Sequence, residues 1–201
     1  MDTIQTILYD ADGVLVVGDS FKNHLEHDLH ITPSMTGEFF GGAFNDCLRG
    51  QADLKTAIAP YLSRWGWRSS PAAFLDLWFD IEKQTNQQLL DHVQQLRKQG
   101  LKCYVATNQE RYRTSYMKEF MMLEKYFDGI FASNQLGVCK PDQVFFQTIL
   151  SQLQITDPTT VMFWDDMQVN VDAALSMNID AHLYTSFDDY RKNMQKSNLL
   201  Q

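Results

Sequence analysis

Two carboxylates, Asp10 and Asp12, stand two residues apart at the end of a short apolar run, and Gly13 follows them. Acids that close repel each other unless a cation lies between them or one keeps a proton. Either outcome is useful chemistry: a hard-metal site, or a nucleophile beside a general acid. An Asp-x-Asp-Gly stretch also makes an ordinary turn, since both residue types favour turns. Three later positions weigh against the turn alone. Thr107-Asn108 offers a hydroxyl and an amide just before a helical pattern, where backbone N–H groups suit a phosphate. Read locally, either residue could equally cap that helix. Lys140 precedes Pro141, a residue that can open a helix; read alone it is a solvated lysine. Asp165-Asp166 sets two more carboxylates after the apolar Met162-Phe163-Trp164.

These groups need elements that bring them together. The run Ile4 to Tyr9 reads as a buried strand, being short, apolar and partly β-branched. From residue 86 onward helical and strand patterns alternate. Leu89, Leu90, Val93 and Leu96 recur at spacings of three and four, which predicts a helix over 86–99 ended by Gly100. Strands are expected at 101–106, 129–132, 160–164 and 181–184, with helices at 110–120, 143–153 and 170–177. Ser186 with Asp189 has the form of a capping box opening a last helix. Such alternation implies βαβ units and a mainly parallel sheet. All four polar groups then fall at the carboxyl ends of strands, the rim where open α/β sheets bind ligands.

Residues 17–85 read as a helical insertion between the first two strands. Thr32-Pro33 and Ser70-Pro71 are cap-then-proline helix starts. Pro60 is expected to break or kink a helix over 55–64. The domain reading is therefore a core of 1–16 and 86–201 with a helical module of 17–85.

Composition narrows the function. The chain of 201 residues is 44% hydrophobic, enough for one sizeable core with an insertion. Its net charge is −8 with no basic stripe, which argues against nucleic acid. No apolar stretch is long enough to predict a membrane span, and the N-terminus is too acidic for a secretory signal. Cys47, Cys103 and Cys139 fit no zinc or disulfide spacing and read as reduced thiols of a cytoplasmic protein.

The order of these motifs resembles the haloacid dehalogenase-like hydrolase superfamily: Asp10-Ala11-Asp12-Gly13-Val14-Leu15, then Thr107-Asn108, Lys140-Pro141 and Asp165-Asp166. The insertion resembles that family's C1-type cap (subfamily I). The run Trp164-Asp165-Asp166 through Asn170-Val171-Asp172-Ala173-Ala174 is similar to bacterial sugar-phosphate phosphatases and to the N-terminal phosphatase domain of soluble epoxide hydrolase. The resemblance implies an α/β fold with a three-layer Rossmann-like core and an inserted helical cap. It implies Asp10 as the nucleophile, forming an aspartyl-phosphate, and Asp12 as the acid and base. It implies Mg2+ held by Asp10, the Asp12 carbonyl and Asp166, with Asp165 binding through water or from behind. Thr107, Asn108 and Lys140 would hold the phosphoryl oxygens. Dehalogenases lack the second acid, so Asp12 favours phosphate chemistry. The implied activity is hydrolysis of a small phosphorylated substrate, a sugar phosphate or nucleotide, by a monomer or homodimer. A phosphomutase is the near alternative. A receiver-type phospho-acceptor has a different motif order and no such insertion, and a non-catalytic interaction protein sits poorly with the intact acids.

The cap should close over the pocket, hinged near Gly18 and Lys83. Phe21, Phe44, Arg49, Trp65 and Trp78 are candidates to face it, although aromatics in a small helical module more often form its core. Gly41-Gly42 offers close backbone approach or only a loop. His24, His27 and His30 are spaced by threes, which spreads them around a helix and suits a solvated face better than zinc. Ala11, where relatives carry larger residues, should matter little.

Overall fold

The computed structural model describes residues 3–197 and Leu199. The outermost positions of the expected core, 1–2, 198 and 200–201, lie outside the described residues. The strand β1 spans Thr6–Tyr9. Five helices follow: α1 (Phe21–His27), α2 (Pro33–Phe40), α3 (Ala43–Leu48), α4 (Leu54–Arg64) and α5 (Pro71–Ile81). Then come α6 (Gln87–Lys98), β2 (Lys102–Thr107), α7 (Arg111–Glu119), β3 (Gly129–Ala132) and α8 (Ser133–Leu136). The chain continues through α9 (Gln143–Gln152), β4 (Val161–Asp165), α10 (Gln168–Leu175), β5 (Asp180–Leu183) and α11 (Phe187–Lys196).

The strands form one sheet in the order β3-β2-β1-β4-β5, parallel at every pairing. This is the α/β Rossmann-like architecture expected from the alternation. Because side chains alternate across a strand, each strand feeds two cores. Ile7, Tyr9, Cys103, Val105, Met162 and Trp164 face one layer, packed on α6 and α11. Leu8, Ala106, Val161 and Phe163 face the other, packed on α9 and α10. The connections leave β1 and β4 in opposite directions, so these neighbours form the switch point where such sheets open a crevice.

The helices from α1 to α5 bury a third cluster of their own, centred on Phe39, Ile58 and Phe74. Ser70 caps α5 as its sequence suggests, its hydroxyl accepting from the Ala73 N–H at 3.1 Å. Thr32 precedes Pro33 but makes no side-chain cap. Pro60 lies inside α4 and does not break it. Thr56, whose carbonyl loses its partner, is exposed to water, and Leu54, Ile58 and Leu62 are buried on the other side. One lost hydrogen bond is outweighed by that burial. The expected boundaries shift by one or two residues elsewhere, and α8 goes unforeseen. His24 and His27 lie on α1 and His30 beyond it; His24 pairs with Asp28 at 2.6 Å, and no metal cluster forms there among the described residues.

The three cysteines are free, and burial pushes the Cys47 thiol up to about 11 and the Cys103 thiol to about 12. Neither is a thiolate at neutral pH. Among the described residues, no helix is long and apolar enough to cross a membrane.

Under the sheet, the Tyr190 hydroxyl meets the Tyr9 hydroxyl at 3.0 Å and the His92 Nδ1 at 2.7 Å, all buried. Tyr190→Phe strands both partners, and the expected cost is about 1–3 kcal/mol in urea unfolding. A change within about 0.5 kcal/mol would show that the triad does not hold α11 to the sheet.

Candidate active site

β1, β2 and β4 end side by side, so their terminal side chains share one rim. Asp10 follows β1, its N–H bonded to the Trp164 carbonyl at 2.8 Å. Its Oδ1 accepts from the Ala11 N–H at 2.7 Å and pairs with Lys140 Nζ at 2.8 Å. Among the described residues its Oδ2 has no protein partner. Asp165 ends β4 and is fully buried. One of its oxygens takes Lys140 Nζ at 2.5 Å; the other takes the Met167 N–H at 2.8 Å and the Asn170 amide at 2.9 Å. Asp166, next along, turns outward and accepts no side-chain donor among the described residues.

Lys140 is buried between these carboxylates. Burial works against its charge, but Asp10 and Asp165 outweigh it and hold the ammonium above the ordinary lysine value. Burial pushes Asp10 up from 3.8 to about 7, with Lys140 pulling down and Asp165 pushing up. Burial, then Asp165, also raises Asp166. The clustered acids are thus poorly tolerated without a further cation. One oxygen from each of Asp10, Asp165 and Asp166 can lie within 4.8 Å of the others, and an all-oxygen set suits Mg2+.

The loop after β1 fits against this trio through a missing side chain. Gly13 has φ +78, and a Cβ there would collide with the Asp166 carboxylate. Asp12, exposed, accepts from the Gln109 side-chain amide at 2.6 Å. Thr107 closes β2, 1% exposed, and makes no hydroxyl bond to protein among the described residues. Asn108 spends its side chain on the Lys140 peptide: Oδ1 accepts the Lys140 N–H at 2.8 Å and Nδ2 donates to the Lys140 carbonyl at 2.9 Å. It sets the lysine rather than presenting a free amide.

Asp10, Asp12, Thr107, Asn108, Lys140 and Asp166 all line one cavity of about 950 Å3. Asp165 stands behind it. Of the cap candidates, Phe21, Phe44 and Trp78 line the cavity, whereas Arg49 and Trp65 do not. Trp65 donates its Nε1 to the Met35 carbonyl at 2.9 Å instead. Gln109, Phe40 and Glu82 went unforeseen. Gln109 directly follows Thr107-Asn108, so its proximity was there to be read; Phe40 and Glu82 depend on how α2 and α5 pack.

A family model for haloacid dehalogenase-like hydrolases matches residues 43–183. The chain belongs to this family. The matched segment opens inside the helical module, so Asp10 and Asp12 join the site by geometry. Acyl-CoA dehydrogenase family member 10 of Mus musculus is 26% identical over 188 residues, covering 87% of this chain and 17% of that protein. The sesquiterpene phosphatase astK of Aspergillus oryzae is 34% identical over 95 residues, covering 47% of this chain and 48% of that protein. The chain therefore spans less than half the length of each of these curated relatives. A HAD family enzyme of Bacteroides thetaiotaomicron, solved with magnesium and inorganic phosphate, superposes with a TM-score of 0.80 at 19% identity, over 94% of this chain and 98% of that one. L-2-haloacid dehalogenase of Xanthobacter autotrophicus superposes with a TM-score of 0.67 at 15% identity, over 99% and 85%. The fold is shared by both.

The raised Asp10 carboxyl has a consequence for stability. Between about pH 4 and pH 7 the unfolded chain has lost this proton while the folded chain keeps it. Metal-free stability should therefore fall as pH rises through that window. Asp10→Asn removes the effect, so in EDTA the variant should gain on the wild type from pH 4.5 to 8. A urea midpoint difference that stays constant over that range contradicts the electrostatic reading.

Proposed function

We propose that the protein is a Mg2+-dependent phosphomonoesterase in which residues 17–85 cap a core of 1–16 and 86–201. The observation that carries this reading is the state of Asp10: one oxygen is pinned by Lys140 and the Ala11 N–H, and the other has no partner among the described residues and lies beside the cavity. A sesquiterpene phosphatase among the relatives supports the same chemistry.

In this reading the free Asp10 oxygen attacks phosphorus, and the bond from phosphorus to the leaving oxygen breaks. Asp12 hands that oxygen its proton, held in place by Gln109. The phosphoryl group is then carried by Asp10. Asp12 next takes a proton from the water that displaces phosphate, so the acid and the base are one residue. Lys140 has three N–H donors, two of them on Asp10 and Asp165; the third serves a phosphoryl oxygen together with the Thr107 hydroxyl. Asp10 and Asp166 would hold the metal with the Asp12 carbonyl, while Asp165, buried behind the cavity with both oxygens engaged, would act from behind. The metal, when bound, offsets the repulsion between an anionic nucleophile and an anionic ester.

Phosphate release from a mixed panel of phosphate monoesters should require Mg2+. Asp10→Asn should abolish it, and Asp12→Asn should slow it by about 10^2- to 10^4-fold. Release that persists in Asp10→Asn would sink the covalent route. Mg2+ should also raise the melting temperature of the wild type by mass action, and much less so that of Asp166→Asn; equal shifts would remove Asp166 from the metal site.

A further inference from the structure

The cavity has two walls of opposite character. The sheet side carries the acids, Thr107 and Lys140. The cap side carries Phe21, Leu25, Phe40, Phe44, Leu48 and Trp78. We propose that this cap wall receives a hydrocarbon group, so that the substrates are apolar phosphate monoesters, prenyl, alkyl or aryl, rather than sugar phosphates or nucleotides. The inference rests on the phosphomonoesterase reading for the position of the phosphate, and on the wall itself for the rest.

The wall is not simply the core of the cap. That core is Phe39, Ile58, Leu62 and Phe74, and Phe21 and Leu25 are buried with it at the edge of the cavity. Phe40, Phe44, Leu48 and Trp78 are only half-buried, and they stand where the cluster meets the cavity. Their rings are held in order: Phe21 stacks on Trp78 at 5.3 Å with an interplanar angle of 10°, while Phe40 and Phe44 contact Trp78 at 5.7 and 5.8 Å. Apolar surface turned into a water-filled cavity is unfavourable until something apolar covers it.

The polar groups beside the rings, Glu82 and the Trp78 indole N–H, are already engaged. Glu82 accepts from the Trp78 Nε1 at 2.7 Å with one oxygen and from the Phe21 N–H at 2.9 Å with the other. The indole therefore presents carbon to the cavity. Ser20 accepts from the Lys22 N–H at 3.2 Å as the cap of α1. A sugar seated against the rings would find its hydroxyls facing carbon, with Asp19, Ser20 and Lys22 the polar residues of α1 and the loop before it that line the cavity. A second phosphate would meet Asp19 and Glu82, with Lys22 the one cation of the cap side. The volume of about 950 Å3 leaves room for a sizeable chain beyond the phosphate. Among the relatives, a sesquiterpene phosphatase is named for an apolar substrate.

The test separates binding from turnover. Affinities of n-alkylphosphonates from two to eight carbons, which cannot be hydrolysed, are measured by calorimetry with Mg2+ present. Each added methylene should tighten binding about fourfold over the first several carbons, the value of one buried CH2. Phe44→Ser should flatten that dependence. In parallel, kcat/KM is compared for octyl phosphate, phenyl phosphate, glucose 6-phosphate and a nucleoside monophosphate. The apolar esters should lead by at least about tenfold. Affinity independent of chain length, or the sugar phosphate as the better substrate, overturns the apolar site while leaving the phosphatase standing. A clear length dependence with no ester hydrolysed supports the apolar site and removes the catalytic reading instead. The wild-type series decides even if the Phe44 variant fails to fold.

Discussion

A lysine ammonium buried at the end of the sheet organises the rest of the site. Removed from water, that charge is costly unless it is paired and hydrogen-bonded. Lys140 has both partners: Asp10 at 2.8 Å and Asp165 at 2.5 Å. The demand propagates outward. Asp165 carries its own negative charge into the core, so Met167 and Asn170 supply donors to its second oxygen. The lysine must arrive at a fixed height, so Asn108 grips its peptide from both sides. Three strand ends and the loop before α9 are thereby tied through one lysine, two by its ammonium group and one by its peptide. What remains outside the balance is one oxygen of Asp10, together with Asp166 and Asp12, all facing the cavity.

That remainder is a local excess of negative charge in a confined space. The raised carboxyl values of Asp10 and Asp166 express it. A site satisfied in itself would have no reason to bind anything; this one is left short of positive charge. A divalent cation brings two charges and oxygen-seeking coordination, which is why the metal and the substrate belong to one electrostatic problem. Gly13 makes the arrangement possible by leaving its side-chain space to Asp166.

The helical module is fastened to this rim by polar contacts and by Tyr112 and Tyr116 of α7, which pack against its cluster, Tyr116 meeting the Phe79 ring at 5.5 Å. The Arg113 guanidinium, buried on α7, donates to the carbonyls of Phe79 and Glu82. The Ser133 hydroxyl donates to the Leu48 carbonyl at 2.7 Å, and Asp53 accepts from both Arg111 and Tyr112 at 2.6 Å. The two chain crossings run close together: Val16 bridges to Thr85, and the Val17 N–H donates to the Gln84 carbonyl at 2.8 Å. The surface pairs among these are exchangeable with water at modest cost; the buried Arg113 bonds are not.

Much of this was legible in the sequence because it depends on local pattern. The strand over 129–132 falls where expected, since Gly129 and Ala132 bound a short apolar run. Three of the four polar motifs fall on one rim because parallel strands share a direction, and Lys140 reaches it from the loop between α8 and α9 rather than from a strand end. What could not be read depends on distant packing. Nothing near Asn108 announces that its amide serves the Lys140 peptide, thirty-two residues on. Nothing near Tyr9 announces Tyr190 and His92. The aromatic candidates of the cap show the limit most clearly. Phe44 and Trp65 look alike in sequence, yet Phe44 borders the cavity while Trp65 is tied to the Met35 carbonyl on α2. Helical period says which residues turn inward; which inward residues meet a ligand is fixed only when five helices have packed. Glu82 is an instance, because its two oxygens take the Trp78 indole N–H and the Phe21 N–H, a pairing that brings α5 and α1 together at the cavity.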